Sequence, residues 1–346
     1  MTYNVATMKK TATLSREAEI ERYKALKKTQ KLSRVFAMPE LANPSELLTK
    51  AEIDFFLQNG FLIKKGRLPA DETGVAVKRI WQHLVKAIPT KTGARMTLDD
   101  PESWLNPQWE TQPPHPQSGP FQGRQPIEHY GRIVKLHDLG NADYLLDLFA
   151  NNKSVRAIAQ RMLGASLKPS VHTRGVYLLF PTKSADDPDG ERRITGSALG
   201  PHSDQVCQQL NACAYLEDVS ARNGGFTVYP GSHKIMFGAH QFESNWSPLP
   251  TYYDAIEEIV ASIEPLELTA AKGSVIFWHG RLLHSVGIHT GASLRWALFG
   301  DFTQDRETLN EDEHRALDQY EWFKDAHLFR HDHEVTSDMW RNWVIG

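Results

Sequence analysis

"NGGFTVYPGSHK", residues 223–234, packs three glycines, a proline and a histidine around one short apolar run. No helix accommodates that density of Gly and Pro. Asn223-Gly224-Gly225 supplies residues that tolerate positive φ and so reads as a turn. Phe226 to Tyr229 are strand formers, and Pro230-Gly231-Ser232-His233 reads as a strand end and corner. The flanking sequence repeats the pattern. "VHTRGVYLLF", "LNACAYLEDV", "LELTAAKGSVIFWHG", "LLHSVGIH" and "LRWALFGDF" are short, rich in β-branched and aromatic residues, and separated by turn chemistry. Residues 170–302 therefore read as a β core of sandwich or barrel type.

The front of the chain is helical. Residues 12–32 are rich in Glu, Lys, Arg and Ala and predict an exposed helix or arm. In "LLTKAEIDFFLQNGFLIKKG", residues 47–66, Thr49 and Glu52 have capping-box spacing, Ile53, Phe56 and Leu57 make an apolar stripe, and Asn59-Gly60 ends the helix. "FLIKKG" follows as a short strand, a second helix covers about 74–88, and a helix pair covers about 141–164. Residues 96–131 hold seven prolines and two tryptophans without periodicity, which predicts a lid-like insertion. "NEDEHRALDQYEWFKDAHLF", within 303–346, returns to helix. The resulting organisation is a charged extension (1–45), one large domain (46–304) and a helical tail (305–346) packing on it.

Bulk composition narrows the class. The 346 residues are 40% hydrophobic and 23% charged with net charge -3, which is globular and offers a polyanion nothing. Two cysteines, Cys207 and Cys213, form neither a disulfide framework nor a metal-ligand pattern, pointing to a reducing compartment. The charged first thirty residues are not signal-like, and no apolar run reaches membrane-spanning length. The expectation is a cytoplasmic protein, monomer or homodimer, with a small-molecule substrate and neither nucleic-acid nor membrane partner.

"GPHSDQ" sets His202 and Asp204 two residues apart, on one face of an extended chain. With 15 histidines in the chain, about one His-x-Asp is expected by chance. The corroboration is "KGSVIFWHGRLLHSVGIHTGASLRWALFGDF". There His284 lies in a strand-like run and Arg295 eleven residues on, in the next one. Two histidines and a carboxylate, one ligand remote in sequence, make the facial triad of non-haem Fe(II) enzymes. Arginine's planar fork is suited to holding the far carboxylate of 2-oxoglutarate.

At this point the sequence resembles the phytanoyl-CoA hydroxylase-like family of Fe(II)/2-oxoglutarate dioxygenases. "LTKAEIDFFLQNGFLIKKG", "HSD", "NGGFTVYPGSHK" and "GSVIFWHGRLLHS…R" carry the resemblance in the family's order, over about residues 47–302. It implies an α+β fold with a double-stranded β-helix (jelly-roll, cupin-like) core and flanking N- and C-terminal helices. It implies iron on His202, Asp204 and His284, 2-oxoglutarate on Arg295, and consumption of O2 with release of succinate and CO2. Because Asp204 is present, hydroxylation of an unactivated C–H bond is favoured over halogenation; desaturation, ring formation and a catalytically silent sensor are the alternatives. Two positions depart from the family: Cys213 stands where it commonly has tryptophan, and His289 where it often has asparagine.

The remaining candidates are weaker. Ser293 is a further 2-oxoglutarate contact or a plain strand hydroxyl. Asn211 and Cys213 share strand parity and either face the cosubstrate or pack the core. His279 and His289 read as structural, and "FRHDHE" (329–334) as a solvated helix end or loop. Trp104, Trp109, His129, Tyr130, Arg132, Arg174 and Arg193, with Lys135 nearby, are the substrate-pocket candidates, drawn from the insertion, from residues 181–200 and from their neighbours. Their cationic bias suits a small polar or acidic substrate.

Overall fold

The computed structural model describes residues 15–29, 31–41, 46–87, 96–100, 103, 127–130, 133–164, 167–181, 200–204, 210–239, 250–291, 293–302, 339–340 and 343–345. Most of the 96–131 insertion, the loop 182–199 and residues 303–338 lie outside the described residues. So do Trp104, Trp109, Arg132, Arg193, Cys207 and the "FRHDHE" stretch.

Helix α1 (Arg16–Thr29) precedes β1 (Arg34–Ala37), α2 (Lys50–Asn59), β2 (Phe61–Lys64) and α3 (Ala70–Ala87). A hairpin of β3 (Ile127–Tyr130) and β4 (Ile133–Leu136) leads to the short α4 (Asp143–Leu145), a π-helical turn over Leu146–Ala150, and α5 (Lys153–Leu163). The core then runs through β5 (Gly175–Leu179), β6 (Leu210–Tyr215), β7 (Phe226–Val228), α6 (His233–Ala239) and α7 (Pro250–Ser262). It closes with β8 (Leu266–Thr269), β9 (Val275–His279), β10 (His284–Val286) and β11 (Arg295–Phe302). The order β1-β8-β7-β10 forms one sheet and β2-β9-β6-β11-β5-β4-β3 the other. Every pairing is antiparallel except β1 with β8. This is the double-stranded β-helix core of an α+β protein. No described helix is long and apolar enough to cross a membrane.

Local chemistry sets the elements. Thr49 and Glu52 complete a reciprocal capping box, and Gly60, at φ +80°, closes α2. Glu52 is also buried, where its carboxylate meets Lys64 Nζ of β2 at 2.6 Å. Helix α3 starts at Ala70, four residues before the sequence expectation, because Pro69 fits a helix entry and Asp71 and Glu72 suit its first turn. Three features exceed the sequence reading: β1, the β3–β4 hairpin, and the helices α6 and α7. The hairpin falls at the end of the supposed insertion, in "IEHYGRIVKL" (127–136), where Ile127 pairs with Leu136 and Tyr130 with Ile133. Helices α6 and α7 form a second small core in which Leu26 of α1 packs beside Tyr252, Ile256 and Ile259. Arg22 of α1 ion-pairs there with Asp254 and Glu257.

The opening stretch behaves as its residues dictate. Gly224 has φ +71°, and a Cβ there would lie 2.2 Å from Leu179 Cδ2. Gly231, φ +77°, turns the corner and donates its N–H to Asn59 O at 2.9 Å, tying β7 to the end of α2. At the opposite end of the chain, Trp340 and Trp343 pack against Phe56 and His279.

Candidate metal centre

His202 and His284 form an antiparallel bridge in which each backbone N–H donates to the other's carbonyl, at 3.0 and 2.9 Å. Their rings lie 4.4 Å apart. Each Nδ1 sits by a carbonyl two residues back, Gly200 O at 2.8 Å for His202 and Leu282 O at 2.9 Å for His284. A carbonyl only accepts, so both Nδ1 atoms carry the proton and both Nε2 atoms keep their lone pair. Asp204 joins them, and one ligand atom from each of the three residues lies within 4.8 Å of the others. His284 Nε2 is 3.6 Å from Asp204 Oδ1.

The electrostatics keep these groups in ligand form. Burial, reinforced by His284, pushes His202 down to about 3. Burial likewise lowers His284, although Asp204 opposes it. Burial alone would raise Asp204, but the Arg174 charge and its hydrogen bond offset that and hold its carboxylate well below the usual range. Two neutral imidazole lone pairs thus face a carboxylate with no proton between them. A buried cluster of acceptors calls for a cation. The donor set, two imidazoles and one carboxylate on one side, fits Fe(II).

Aromatic rings wall the site. Phe226 lies 5.0 Å from the His284 ring and 4.6 Å from Trp278, while Tyr177 stacks on Phe299 at 4.4 Å. Lys135 of β4 reaches over the Tyr177 ring, 4.9 Å from its centroid. Its charge is also felt at His202.

Arg295 sits at the start of β11, opposite Leu179 of β5. It is next to β10 in sequence, yet the two strands belong to different sheets, so the arginine and His284 come from facing layers. Its guanidinium is buried, with Nε donating to Gly224 O at 3.1 Å and Nη1 to Tyr177 O at 3.3 Å. Burial lowers its pKa. Among the described residues no carboxylate pairs with it, so the cation is balanced only by carbonyl dipoles.

The other candidates scatter. Asn211 and Cys213 share a face of β6, as their parity requires. Asn211 donates to Asp204 Oδ2 at 2.8 Å and accepts from Arg174 at 2.9 Å. Cys213 is fully buried, and that burial pushes its thiol up to about 12. Ser293 is exposed and accepts from Asn223 Nδ2 at 2.8 Å. Arg174 points at Asp204 and Asp301, so the structure brings it to the triad itself. His129 and Tyr130 lie on edge strand β3, in register with Val134 and Ile133. His279 is buried among His233, Trp340 and Trp343, away from the triad, and His289 is buried beside the Asn223 turn. Trp278 and Asp301 were not singled out in the sequence. Both fall in register with Asn211, a pairing that the sheet sets and sequence parity does not.

The sequence model of the phytanoyl-CoA dioxygenase family (PhyH) matches residues 191–297, the span that carries His202, Asp204, the 223–234 stretch, His284 and Arg295. No curated protein sequence matches this chain. Among solved structures it is similar to the non-heme alpha ketoglutarate dependent epimerase SnoN from nogalamycin biosynthesis, at 15% identity and TM-score 0.45, over 76% of this chain and 84% of that one. It is also similar to AviO1 from Streptomyces viridochromogenes Tue57, at 16% identity and TM-score 0.45 over 75% and 96%. EctD from S. alaskensis aligns at 15% identity and TM-score 0.42 over 80% and 83%. Likenesses this distant say nothing about this chain's reaction.

Proposed function

We propose, from the premise that this chain is a PhyH-like enzyme dependent on Fe(II), 2-oxoglutarate and O2, that it hydroxylates an unactivated C–H bond of a small polar or acidic metabolite. The observation that carries the reading is the buried meeting of two Nε2 lone pairs and a carboxylate oxygen, described above. In this reading His202, Asp204 and His284 hold the metal. Arg295 takes the far carboxylate of 2-oxoglutarate, replacing carbonyl dipoles by a full anion and so relieving a buried cation.

Fe(II) and 2-oxoglutarate bound there would supply oxidising equivalents from dioxygen, with succinate and CO2 as co-products. The chain's own residues do the rest. Phe226, Phe299, Trp278 and Tyr177 line the site with rings, excluding water from the reacting carbon. His202, the more accessible of the two histidines, marks the open side. Lys135, whose charge is felt at His202, adds positive charge near that side, which favours an anionic substrate group. Where the target carbon is held relative to the triad decides between hydroxylation, desaturation and ring closure.

The test is succinate formation from 2-oxoglutarate, aerobically with Fe(II) and ascorbate, against carboxylates, amino acids, acyl-CoA esters and phosphonates. Stimulation by an anionic member supports the reading. Iron-loaded protein forming no succinate at all, even uncoupled, overturns it in favour of a sensor.

A further inference from the structure

Three donors meet the two carboxylate oxygens of Asp204, and they are shared unequally. Asn211 Nδ2 donates to Oδ2 at 2.8 Å and Trp278 Nε1 donates to the same atom at 3.1 Å. Arg174 Nη1 donates to Oδ1 at 3.0 Å. A carboxylate offers about four lone-pair directions, two on each oxygen. Oδ2 therefore has both directions filled. Oδ1 has one filled and one left, and Oδ1 is the oxygen that faces His284 Nε2 at 3.6 Å.

The donors are themselves fixed. Asn211 is opposite Trp278 in the β6–β9 ladder and opposite Asp301 in the β6–β11 ladder, so Trp278, Asn211 and Asp301 form one row across three strands. Arg174, just before β5, extends the row. Its Nε donates to Asp301 Oδ2 at 2.9 Å, its Nη2 lies 2.5 Å from Asp301 Oδ1, and its Nη2 donates to Asn211 Oδ1 at 2.9 Å. The Asn211 amide is thereby oriented: its oxygen accepts from Arg174, so its NH2 must face Asp204. Asn211 and Trp278 are fully buried.

We propose that Asn211 and Trp278 reserve Oδ2, with Arg174, held by Asp301, setting the orientation of the Asn211 amide, so that Asp204 presents a metal with one oxygen only. This rests on the metal-site reading above. Its consequence is that the carboxylate takes one coordination position and leaves the next open to cosubstrate. Asn211, Trp278 and Arg174 are positioning residues on this account; none need touch the cosubstrate.

The experiment titrates metal-free protein, labelled with 13C-carboxyl aspartate, with Co(II) alone. Visible absorption follows binding, and the infrared difference spectrum gives the separation of the antisymmetric and symmetric carboxylate stretches. Wild-type protein should show the wide separation of one-oxygen ligation. Asn211→Leu and Trp278→Phe should bind Co(II) about tenfold to a hundredfold more weakly, with a narrowed separation as Oδ2 turns to the metal. Trp278→Phe keeps an aromatic ring but loses the N–H and part of the indole's volume; its carboxylate stretch separation, read on folded protein, decides the matter should Asn211→Leu fail to fold. Variants that bind Co(II) with the wild-type separation overturn the inference and leave the metal site standing. Wild-type protein that binds no Co(II) overturns both.

Discussion

His202 and His284, 82 positions apart in the chain, exchange both of their backbone hydrogen bonds. The pairing aligns two rings whose Nδ1 atoms are already committed to carbonyls, which leaves the Nε2 lone pairs free beside Asp204. The arrangement of the two imidazoles is thus a property of the sheet ladder and of two local turns.

Removal of a ligand should abolish metal binding, while removal of the anion anchor should only weaken cosubstrate binding. Under argon, Fe(II) and 2-oxoglutarate should give wild-type protein a weak visible charge-transfer band. The band should vanish in His202→Ala. In Arg295→Ala it should return, but only at about tenfold to hundredfold more 2-oxoglutarate, as expected for a lost charged hydrogen-bond pair of about 1.5–3 kcal/mol. Arg295→Ala protein that saturates at the wild-type concentration would place the anchor elsewhere.

Gly224 links fold and site, because its carbonyl holds Arg295 and its φ of +71° disfavours any L side chain. Gly224→Ala should lose about 1–2 kcal/mol from the left-handed backbone, and more from the collision with Leu179. Together these set the urea unfolding midpoint. The 2-oxoglutarate concentration giving half the visible band reads the displaced Gly224 carbonyl at Arg295, and it should rise as well.

The buried pair Glu52–Lys64 should behave as a charged pair in the interior. Lys64→Met alone strands the Glu52 carboxylate and should cost about 3–5 kcal/mol, whereas Glu52→Gln with Lys64→Met together should cost less than that single change. Chemical denaturation of the two variants gives the comparison. Equal losses would mean that the pair contributes only its packing.

Acid should loosen the contact between α2 and the C-terminal tryptophans. Burial lowers His233 to about 4 and His279 well below its ordinary value, and the two rings lie 5.6 Å apart against Trp340. A histidine lowered in the folded state is neutral there while its unfolded counterpart binds a proton. Stability is therefore complete above about pH 6.5 and falls as pH drops toward about 4, by on the order of 3 kcal/mol for His233. Urea midpoints at pH 7 and pH 4.5 should differ less in His233→Gln than in wild type.

The motifs were legible because each rests on local chemistry. A capping box needs only Thr49 and Glu52 at their spacing, a left-handed turn needs Gly60 or Gly224, and parity alone puts Asn211 and Cys213 on one face. The hairpin of β3 and β4 was hidden because its residues follow a proline-rich run without periodicity, and sheet pairing rather than propensity gives them their place. Helices α6 and α7 were hidden for a similar reason: their burial comes from α1 and the turn around Leu283, both distant in sequence.

By itself the sequence determined the residue types and their order. His-x-Asp, a remote histidine and a following arginine can make only a small number of sites, and the strand and turn pattern confines them to a β core. Tertiary structure alone decided which atoms meet. The β6 ladders with β9 and β11 set Trp278, Asn211 and Asp301 in one row. Arg174, distant from Asp204 in the chain, turns out to be that carboxylate's partner. The physical reason is that a strand's period of two fixes which face a side chain takes, whereas its neighbour across the sheet depends on register, and register is set by the whole core.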